Sequence, residues 1–287
     1  MRETSRGHLA AIITILIWGT TFISTRILLV DFLPVEILFF RLCIALIALS
    51  VAYPRRLKFS NAKQELMLAA AGLCVTLYFL TEIIALTYTT VANVGVILSA
   101  SPFFTALFAI FLLRNEKPKS NFYIGFAAAI IGIFLISFNG IAVMSLHPLG
   151  DILALAAAAI WAMYSILLKK ISAFGCNLIQ STRRIFFYGL VFLTPVLLIF
   201  QFEFGFSRFS SPVNTFNLLF LGLGASAACF VTWNFAVRII GAVKTSIYIY
   251  LVPVIAIVIS MLWFGENLTW MSATGSALTL AGLIISR

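Results

Sequence analysis

The chain alternates between long apolar runs and short polar segments. The runs are roughly 18 to 23 residues long, and a helix needs about 20 apolar residues to cross a hydrocarbon layer about 30 Å thick. A β-barrel is excluded because barrel strands alternate polar and apolar residues, whereas residues 124–136 are apolar on all sides. The pattern therefore predicts an all-α membrane protein. Ten transmembrane helices are predicted at residues 8–30, 34–53, 66–88, 91–113, 121–138, 150–170, 183–202, 214–237, 242–264 and 270–286.

The composition agrees with this pattern. The chain is 62% hydrophobic and 10% charged, with a mean hydropathy of +1.12. Charged residues make up about 25% of a typical globular chain, so this chain has too little polar surface for a soluble domain. It is predicted to be a multi-pass protein whose main surroundings are the lipid bilayer.

The basic residues lie mostly on one side of the predicted topology. If the N-terminus is inside, the inner segments hold 16 of the 19 lysines and arginines: Arg2, Arg6, Arg55, Arg56, Lys58, Lys63, Arg114, Lys117, Lys119, Lys169, Lys170, Arg183, Arg184, Arg238, Lys244 and Arg287. This bias follows the positive-inside rule, so both termini are predicted to be cytoplasmic. The net charge of +10 therefore sets orientation, and no nucleic-acid partner is predicted.

The two halves of the chain repeat the same residues at the same spacing. Glu116, Gly125 and Gly132 recur 150 positions later as Glu266, Gly275 and Gly282, and Gly7, Trp18 and Arg41 recur 143 positions later as Gly150, Trp161 and Arg184. The matches predict two domains, 1–142 and 143–287, with five spans each. Because five is odd, the second copy enters the membrane from the opposite side, which makes the halves inverted repeats. Transporters built in this way hold their substrate near the midplane and alternate access by rocking the halves.

Residues that recur at opposite membrane faces are expected to have structural roles. Glu116 and Glu266 precede helices and are predicted to cap their free N–H groups and positive dipole ends. Arg41 and Arg184 are predicted to anchor helix ends, with an anion-attracting arginine at each cavity mouth as the alternative. The paired glycines of spans five and ten predict close helix packing, either within the chain or as the contact of a homodimer.

Glu82 is the acid that lies deepest in a predicted span, about two thirds of the way along span three. A charged side chain at the bilayer centre costs on the order of 2.5–3.5 kcal/mol. We therefore expect Glu82 to face a cavity and either to bind a substrate ammonium group or to take up a proton, which would couple transport to protons. The alternative is a protonated acid bonded to a neighbouring helix.

Aromatic and amide side chains predict the rest of a substrate-binding wall. The candidates lie on spans one, three, four, six, eight and nine: Trp18, Thr21, Tyr78, Asn93, Trp161, Tyr164, Trp233, Asn234 and Tyr248. Residues one helical turn apart, such as Tyr78 and Glu82, share a face. Such a wall suits a small amphipathic or aromatic solute. For each buried aromatic residue, ordinary helix packing is the alternative.

Pro102 and Pro253 lie mid-span in spans four and nine, again at mirrored positions. Proline removes a backbone hydrogen bond and kinks a helix. The two residues are therefore predicted to be gating hinges beside the cavity.

Sequence motifs for other chemistry are missing from the chain. It has no G-x-S-x-G, H-E-x-x-H or phosphate-binding loop motif, and its four cysteines show no paired spacing. No catalytic residue, metal or cofactor is predicted, and the protein is not expected to be an enzyme. A lipid or lipid-precursor flippase, an intramembrane enzyme, a channel and a membrane scaffold stay open as alternatives.

Several short motifs, taken together, resemble one family. They are Ile-Trp-Gly-Thr at 17–20 with Ile-Trp-Ala-Met at 160–163, Arg41 with Arg184, then Ala85, Leu86, Tyr88, Ala92, Pro102, Glu116 and Gly125, and in the second half Ala236, Ala242, Pro253, Glu266 and Gly275. In this order they resemble the drug/metabolite transporter superfamily, specifically its EamA-type ten-helix members. Lys244 departs from the pattern, since it replaces a small residue near the start of span nine.

The resemblance carries its own expectations. It implies a carrier in the bacterial cytoplasmic membrane, built of two five-helix bundles, with a central cavity lined by spans one, three, four, six, eight and nine. It implies export of amino acids or related metabolites more often than uptake, and it names no substrate.

Overall fold

A computed structural model describes the chain except for residues 1, 56, 90, 114–117, 138–147, 201, 203–204, 256–257, 259–268 and 287. Every regular element in this described part is a helix, which confirms the all-α class. The first eight helices are α1 (Arg2–Leu28), α2 (Pro34–Ala52), α3 (Ala62–Tyr88), α4 (Val91–Leu98), α5 (Ser101–Leu112), α6 (Ser120–Ser137), α7 (Pro148–Ser172) and α8 (Leu178–Ile199).

The remaining elements include several departures from regular α-helix. A 3₁₀ turn (Phe206–Ser210) precedes one long helical segment that consists of α9 (Pro212–Leu219), a π-helical stretch (Phe220–Ala228) and α10 (Cys229–Ile240). After α11 (Ala242–Ser246), a second 3₁₀ turn (Ile247–Tyr250) leads into helical residues 251–255, and α12 (Trp270–Ile285) ends the described chain. Gly241 joins α10 to α11 with a φ of 90°, a conformation that glycine adopts without steric strain.

Seven helical segments of the described chain are long and apolar enough to cross a membrane. They are Glu3–Leu28, Pro34–Ala52, Ala62–Tyr88, Val94–Leu112, Pro148–Ser172, Leu178–Ile199 and Pro212–Ile240. Three shorter apolar helices are Ser120–Ile136, Ala242–Ile255 and Ala273–Ile285. The protein is therefore a multi-pass membrane protein. Each predicted span overlaps one of these segments, and the count of ten spans stays a prediction.

Side chains cap the starts of helices by accepting hydrogen bonds from free backbone N–H groups. Asn61 accepts from the backbone nitrogen of Gln64 at 2.8 Å, at the start of α3. Asn177 accepts from Ile179 and Gln180 at the start of α8. These are ordinary N-caps. The predicted caps Glu116 and Glu266 lie outside the described residues.

The glycines of α6 and α12 face one another at very short range. A Cβ atom added at Gly132 would lie 2.5 Å from the carbonyl oxygen of Gly275, and one at Gly275 would lie 2.6 Å from that of Gly132. Gly125, nearer the start of α6, and Gly282, nearer the end of α12, make the same reciprocal contact, so the two helices are antiparallel. The predicted close packing is confirmed. These faces are occupied within one chain, so the expectation that they form a dimer contact is wrong.

The first helix of each half packs against the third long segment of the other half. Gly7 of α1 lies against Ile239 and Ile240 at the end of α10, whereas Gly150 of α7 lies against Tyr88 and Thr89 at the end of α3. Because a glycine has no side chain, each contact lets the two helices approach closely. The first helix of each half therefore packs on the other half.

Arginines anchor two of the loops. Arg184 of α8 binds Glu65 of α3 at 2.6 Å, which supports the predicted anchoring role for this arginine. Arg183 donates to the carbonyl oxygens of Tyr53 and Arg55 just beyond α2, groups that the helix leaves unpaired. Near the start of α2, Arg208 binds both carboxylate oxygens of Glu36, at 2.6 and 3.0 Å.

We expect alanine at Gly132 or Gly275 to destabilise the protein. The new methyl group would press on a backbone carbonyl, and overpacking of this kind costs on the order of 1–3 kcal/mol. Gly224→Ala is the matched control, since its added Cβ would meet only the Phe220 ring, at 3.5 Å. Thermal unfolding of the purified protein in detergent measures the effect. An unchanged melting temperature for Gly132→Ala would contradict the described packing.

Candidate functional site

A partly open cavity lies between the two halves. It is bounded by α1, α2, α3, the α4–α5 segment, α7, α10 and residues 249–252. Its wall consists of Ile15, Trp18, Thr21, Phe22, Thr25, Arg41, Tyr78, Phe79, Glu82, Gly95, Leu98, Ser101, Trp161, Phe230, Ile249 and Val252. Each span that the family resemblance implied contributes to this wall, and α2 adds Arg41.

Aromatic rings form the largest part of the wall. The rings of Trp18 and Trp161 meet edge to face, with centroids 5.1 Å apart. Phe230 packs against both of them, at 5.6 and 5.8 Å, and Tyr78 lies 4.9 Å from Trp161. Edge-to-face and tilted contacts at these distances are favourable because ring edges are positive and ring faces are negative. These rings therefore give the cavity a closely packed apolar surface near the middle of α1 and α7.

The π-helical stretch holds two wall residues in place. The indole nitrogen of Trp18 donates to the carbonyl oxygen of Ala225 at 2.8 Å, and Nε of Arg41 donates to Oγ of Ser226 at 3.0 Å. In a π-helix the hydrogen bonds skip one residue more than in an α-helix, and such segments are frequent at functional sites. Gly222 brings α2 close, since a Cβ there would lie 2.5 Å from Ile44.

Arg41 and Glu82 bring opposite charges into the cavity. They are 3% and 7% exposed, respectively. The Arg41 guanidinium stacks 3.8 Å above the ring centroid of Phe79, and Glu82 lines the cavity one turn after Tyr78, within electrostatic range of Arg41. The expectation that Arg41 anchors a helix end is wrong, because it lies inside α2 and faces the cavity. Only its mirrored partner Arg184 is an anchor.

Five of the predicted substrate-binding residues lie on the wall: Trp18, Thr21, Tyr78, Glu82 and Trp161. Thr21 donates to the carbonyl oxygen of Trp18 within α1 at 2.7 Å. Binding of a substrate by these residues stays a prediction. For Asn93, the helix around it is described but its side chain lies outside the described residues.

Two other candidates hold helices together behind the wall. Tyr164 donates to Oδ1 of Asn234 at 3.1 Å, and the amide nitrogen of Asn234 donates to Thr182 at 2.8 Å. This chain of bonds connects α7, α10 and α8. Tyr164 follows Trp161 by three residues and lies about 60° around the helix from it. The two rings are in contact at 5.1 Å, but the Tyr164 hydroxyl is bound to α10 and only Trp161 lines the cavity. Neither residue lines the cavity, and their predicted part in substrate binding stays a prediction.

Trp233 and Tyr248 also lie away from the wall. Trp233 is fully buried with its ring 5.1 Å from that of Trp18, and its indole nitrogen has no hydrogen-bond partner among the described residues. Phe230, three residues earlier on α10, takes the place at the cavity. The Tyr248 hydroxyl lies 2.7 Å from Nδ1 of His8, so it connects the second 3₁₀ turn to α1.

The two predicted hinge prolines sit where helices depart from α geometry. Pro102 follows a break at residues 99–100, and the Ser101 hydroxyl donates at 2.5 Å to the Leu98 carbonyl oxygen, the group that proline at this position cannot bind. Pro253 follows the 3₁₀ turn Ile247–Tyr250. Both prolines are buried. Their role as hinges stays a prediction.

The sequence reasoning placed Arg41 at the cavity only as an alternative to anchoring, and it missed the phenylalanines of the wall. A signal for Arg41 existed, because a base and an acid both within apolar spans are expected to meet or to share a cavity. No comparable signal existed for Phe22, Phe79 and Phe230, because 28 phenylalanines are spread along the chain.

Comparison with known proteins gives a consistent result. The model of the EamA-like transporter family matches residues 5–138 and again residues 148–287. An uncharacterized transporter of Archaeoglobus fulgidus is 27% identical over 98% of this chain and 97% of its own. A probable terminal-alkyne amino-acid exporter of Streptantibioticus cattleyicolor is 25% identical over 99% of this chain and 94% of its own.

A solved crystal structure has the same fold, with a TM-score of 0.77 and 17% identity. The match covers 98% of this chain and 97% of the chain in that structure. The similarity therefore concerns the whole arrangement of helices rather than one half.

We expect Asn234→Leu to lower the melting temperature. The change leaves Tyr164 and Thr182 without their partner, and hydrogen bonds between membrane helices contribute about 0.6–2 kcal/mol each. Transport per folded molecule should be retained, since Asn234 lies behind the wall. The matched control is Asn217→Leu in α9, because the Asn217 amide donates within its own helix, to Val213. Equal melting temperatures for the two variants would show that the bonds of Asn234 do not stabilise the fold.

Proposed function

Because the chain belongs to the EamA-like transporter family, we propose that this transporter is a secondary carrier that exports amino acids or related amphipathic and aromatic solutes by alternating access. The observation that carries the proposal is the cavity between the halves. It combines a wall of aromatic rings with one buried arginine and one buried glutamate. A solute with an apolar part and charged groups fits such a wall, since rings cover the apolar part and charged side chains bind the polar part.

The name of one relative supports the substrate class. The Streptantibioticus cattleyicolor relative is named a probable terminal-alkyne amino-acid exporter. An amino acid has the features that the cavity wall favours, a compact charged head and a side chain of variable polarity. The proposed location is the cytoplasmic membrane of a bacterium.

We further propose that the chain consists of two inverted five-helix repeats, 1–142 and 143–287, with ten spans and both termini cytoplasmic. Three observations support this arrangement. The family model matches the halves separately, the glycine contacts of α6 and α12 are reciprocal and antiparallel, and the mirrored residues Trp18 and Trp161 touch each other. Contact between two mirrored residues is the geometry expected at a two-fold axis.

In this proposal Glu82 binds the substrate ammonium group or a proton. Its burial beside Tyr78, in a cavity that also holds Arg41, supports a role in binding over a role in lipid contact. Proton coupling then depends on whether this carboxylate takes up a proton during the cycle.

Counterflow in liposomes tests the carrier function. Liposomes that contain the purified protein and an unlabelled amino acid should accumulate the labelled form at a saturable rate. Glu82→Gln should lower the exchange rate and flatten its dependence on external pH between about pH 5.5 and about pH 8. Normal transport by this variant over that range would contradict a coupling role. Lipid scrambling in place of solute exchange would contradict the carrier function and favour a flippase.

We expect Pro102→Ala combined with Pro253→Ala to slow exchange more than it lowers the amount of folded protein. Alanine restores a backbone N–H and lets the interrupted helices straighten, which should hinder gating. Pro195→Ala is the matched control, because Pro195 lies inside α8 on an exposed face. Turnover per folded molecule and the yield of folded protein are the two measurements. An equal loss of both would favour a folding role for the prolines.

A further inference from the structure

Arg41 has unused hydrogen-bonding capacity inside an apolar helix bundle. It is 3% exposed, and a charged side chain at such a depth is unfavourable unless partners or a cavity compensate it. Its Nε donates to Ser226, and its guanidinium plane covers the Phe79 ring. Its two terminal amino groups have no hydrogen-bond partner among the described residues. A guanidinium offers five N–H donors, so most of them are available to a ligand in the cavity that Arg41 lines.

The other arginines near the spans are more exposed than Arg41 or are held by an acid. Arg184 binds Glu65 and also lies beside the Tyr188 ring. Arg208 binds Glu36 with both terminal amino groups. Arg41 therefore differs from them in its surroundings, although it shares its mirrored position with Arg184.

Glu82 lines the same cavity but does not neutralise Arg41 directly. No hydrogen bond or ion pair joins these two described side chains, although both border the same unfilled space. Two opposite charges that face one cavity without touching leave room for a ligand group between them. A forked guanidinium is also the side chain best matched to a carboxylate, which it can bind through two parallel hydrogen bonds.

We propose that Arg41 is a specificity-determining residue of the carrier, which binds the carboxylate of the transported solute while Glu82 binds its ammonium group. The solute must then carry both charges on one compact head, and its side chain lies against Trp18 and Trp161. This inference rests on the proposed transport function and adds to it a charge requirement and the residue that imposes it.

Three probes of one shape separate the two charges. They are L-phenylalanine, phenethylamine, which lacks the carboxylate, and 3-phenylpropionate, which lacks the amine. Binding to the purified protein is measured by calorimetry and by the ligand-induced rise in melting temperature. The wild-type protein should bind phenylalanine at least about tenfold more tightly than either analogue, because each loses a charge-assisted bond.

Arg41→Gln should abolish the preference of the protein for phenylalanine over phenethylamine and should keep its preference for phenylalanine over 3-phenylpropionate. Glu82→Gln should have the opposite effect. Arg184→Gln is the matched control and should keep both preferences, because it removes the mirrored arginine outside the cavity. If Arg41→Gln does not fold, Arg41→Lys keeps the charge without the fork and should reduce the preference for the carboxylate without abolishing it.

The outcomes separate this inference from the proposed function. If Arg41→Gln, or Arg41→Lys in its place, keeps the wild-type preference for phenylalanine over phenethylamine, the role of Arg41 is overturned and the carrier function stands. If the wild-type protein exchanges solutes in liposomes but binds the three probes equally, the charge requirement is overturned. If it neither binds nor exchanges amino acids, both proposals fall.

Discussion

The hydrocarbon core of a membrane has no water that could bind an unpaired polar group, and this constraint governs most of the contacts in the protein. A polar group inside the bundle is costly unless it finds a partner within the chain. The Ser101 hydroxyl serves a carbonyl that Pro102 leaves free, Asn234 serves two helices at once, and the indole of Trp18 binds a carbonyl of the π-helical stretch. Against this background, a side chain with unused donors is conspicuous, and Arg41 is such a residue.

The packing of the two halves follows from the same constraint. In lipid, burial of apolar side chains gives little drive for helices to associate, so close backbone approach becomes important. Gly125 and Gly132 of α6 meet Gly275 and Gly282 of α12 with no room for a side chain. The halves are thereby joined at one side through small residues, while large aromatic rings separate them at the cavity. The helices therefore pack closely at the glycine contacts and leave a cavity between the halves at the aromatic rings.

The sequence predicts the helices and the close packing well because both depend on patterns along the chain. Runs of apolar residues require helices in a membrane, and glycines at matching intervals require close approach. The sequence does not reveal which side of a helix faces the cavity, since that depends on how neighbouring helices rotate. Trp161 and Tyr164 therefore appear equivalent in sequence, although only Trp161 reaches the wall. The π-helical stretch has no pattern of its own in the sequence, so the placement of Arg41 by Ser226 could not be foreseen.

The contact between Trp18 and Trp161 has a mechanical consequence. In the proposed inverted-repeat arrangement, mirrored residues that touch each other lie on the two-fold axis, at the centre of the interface between the halves. Points near the centre of a rocking motion move little, while distant points sweep through arcs. In the proposed rocking motion these two rings act as a fulcrum, and the lever arms reach Gly7 at one end of α1 and Gly150 at the start of α7. A change at the fulcrum therefore affects both directions of motion equally, whereas a change at the end of one arm favours one resting position over the other.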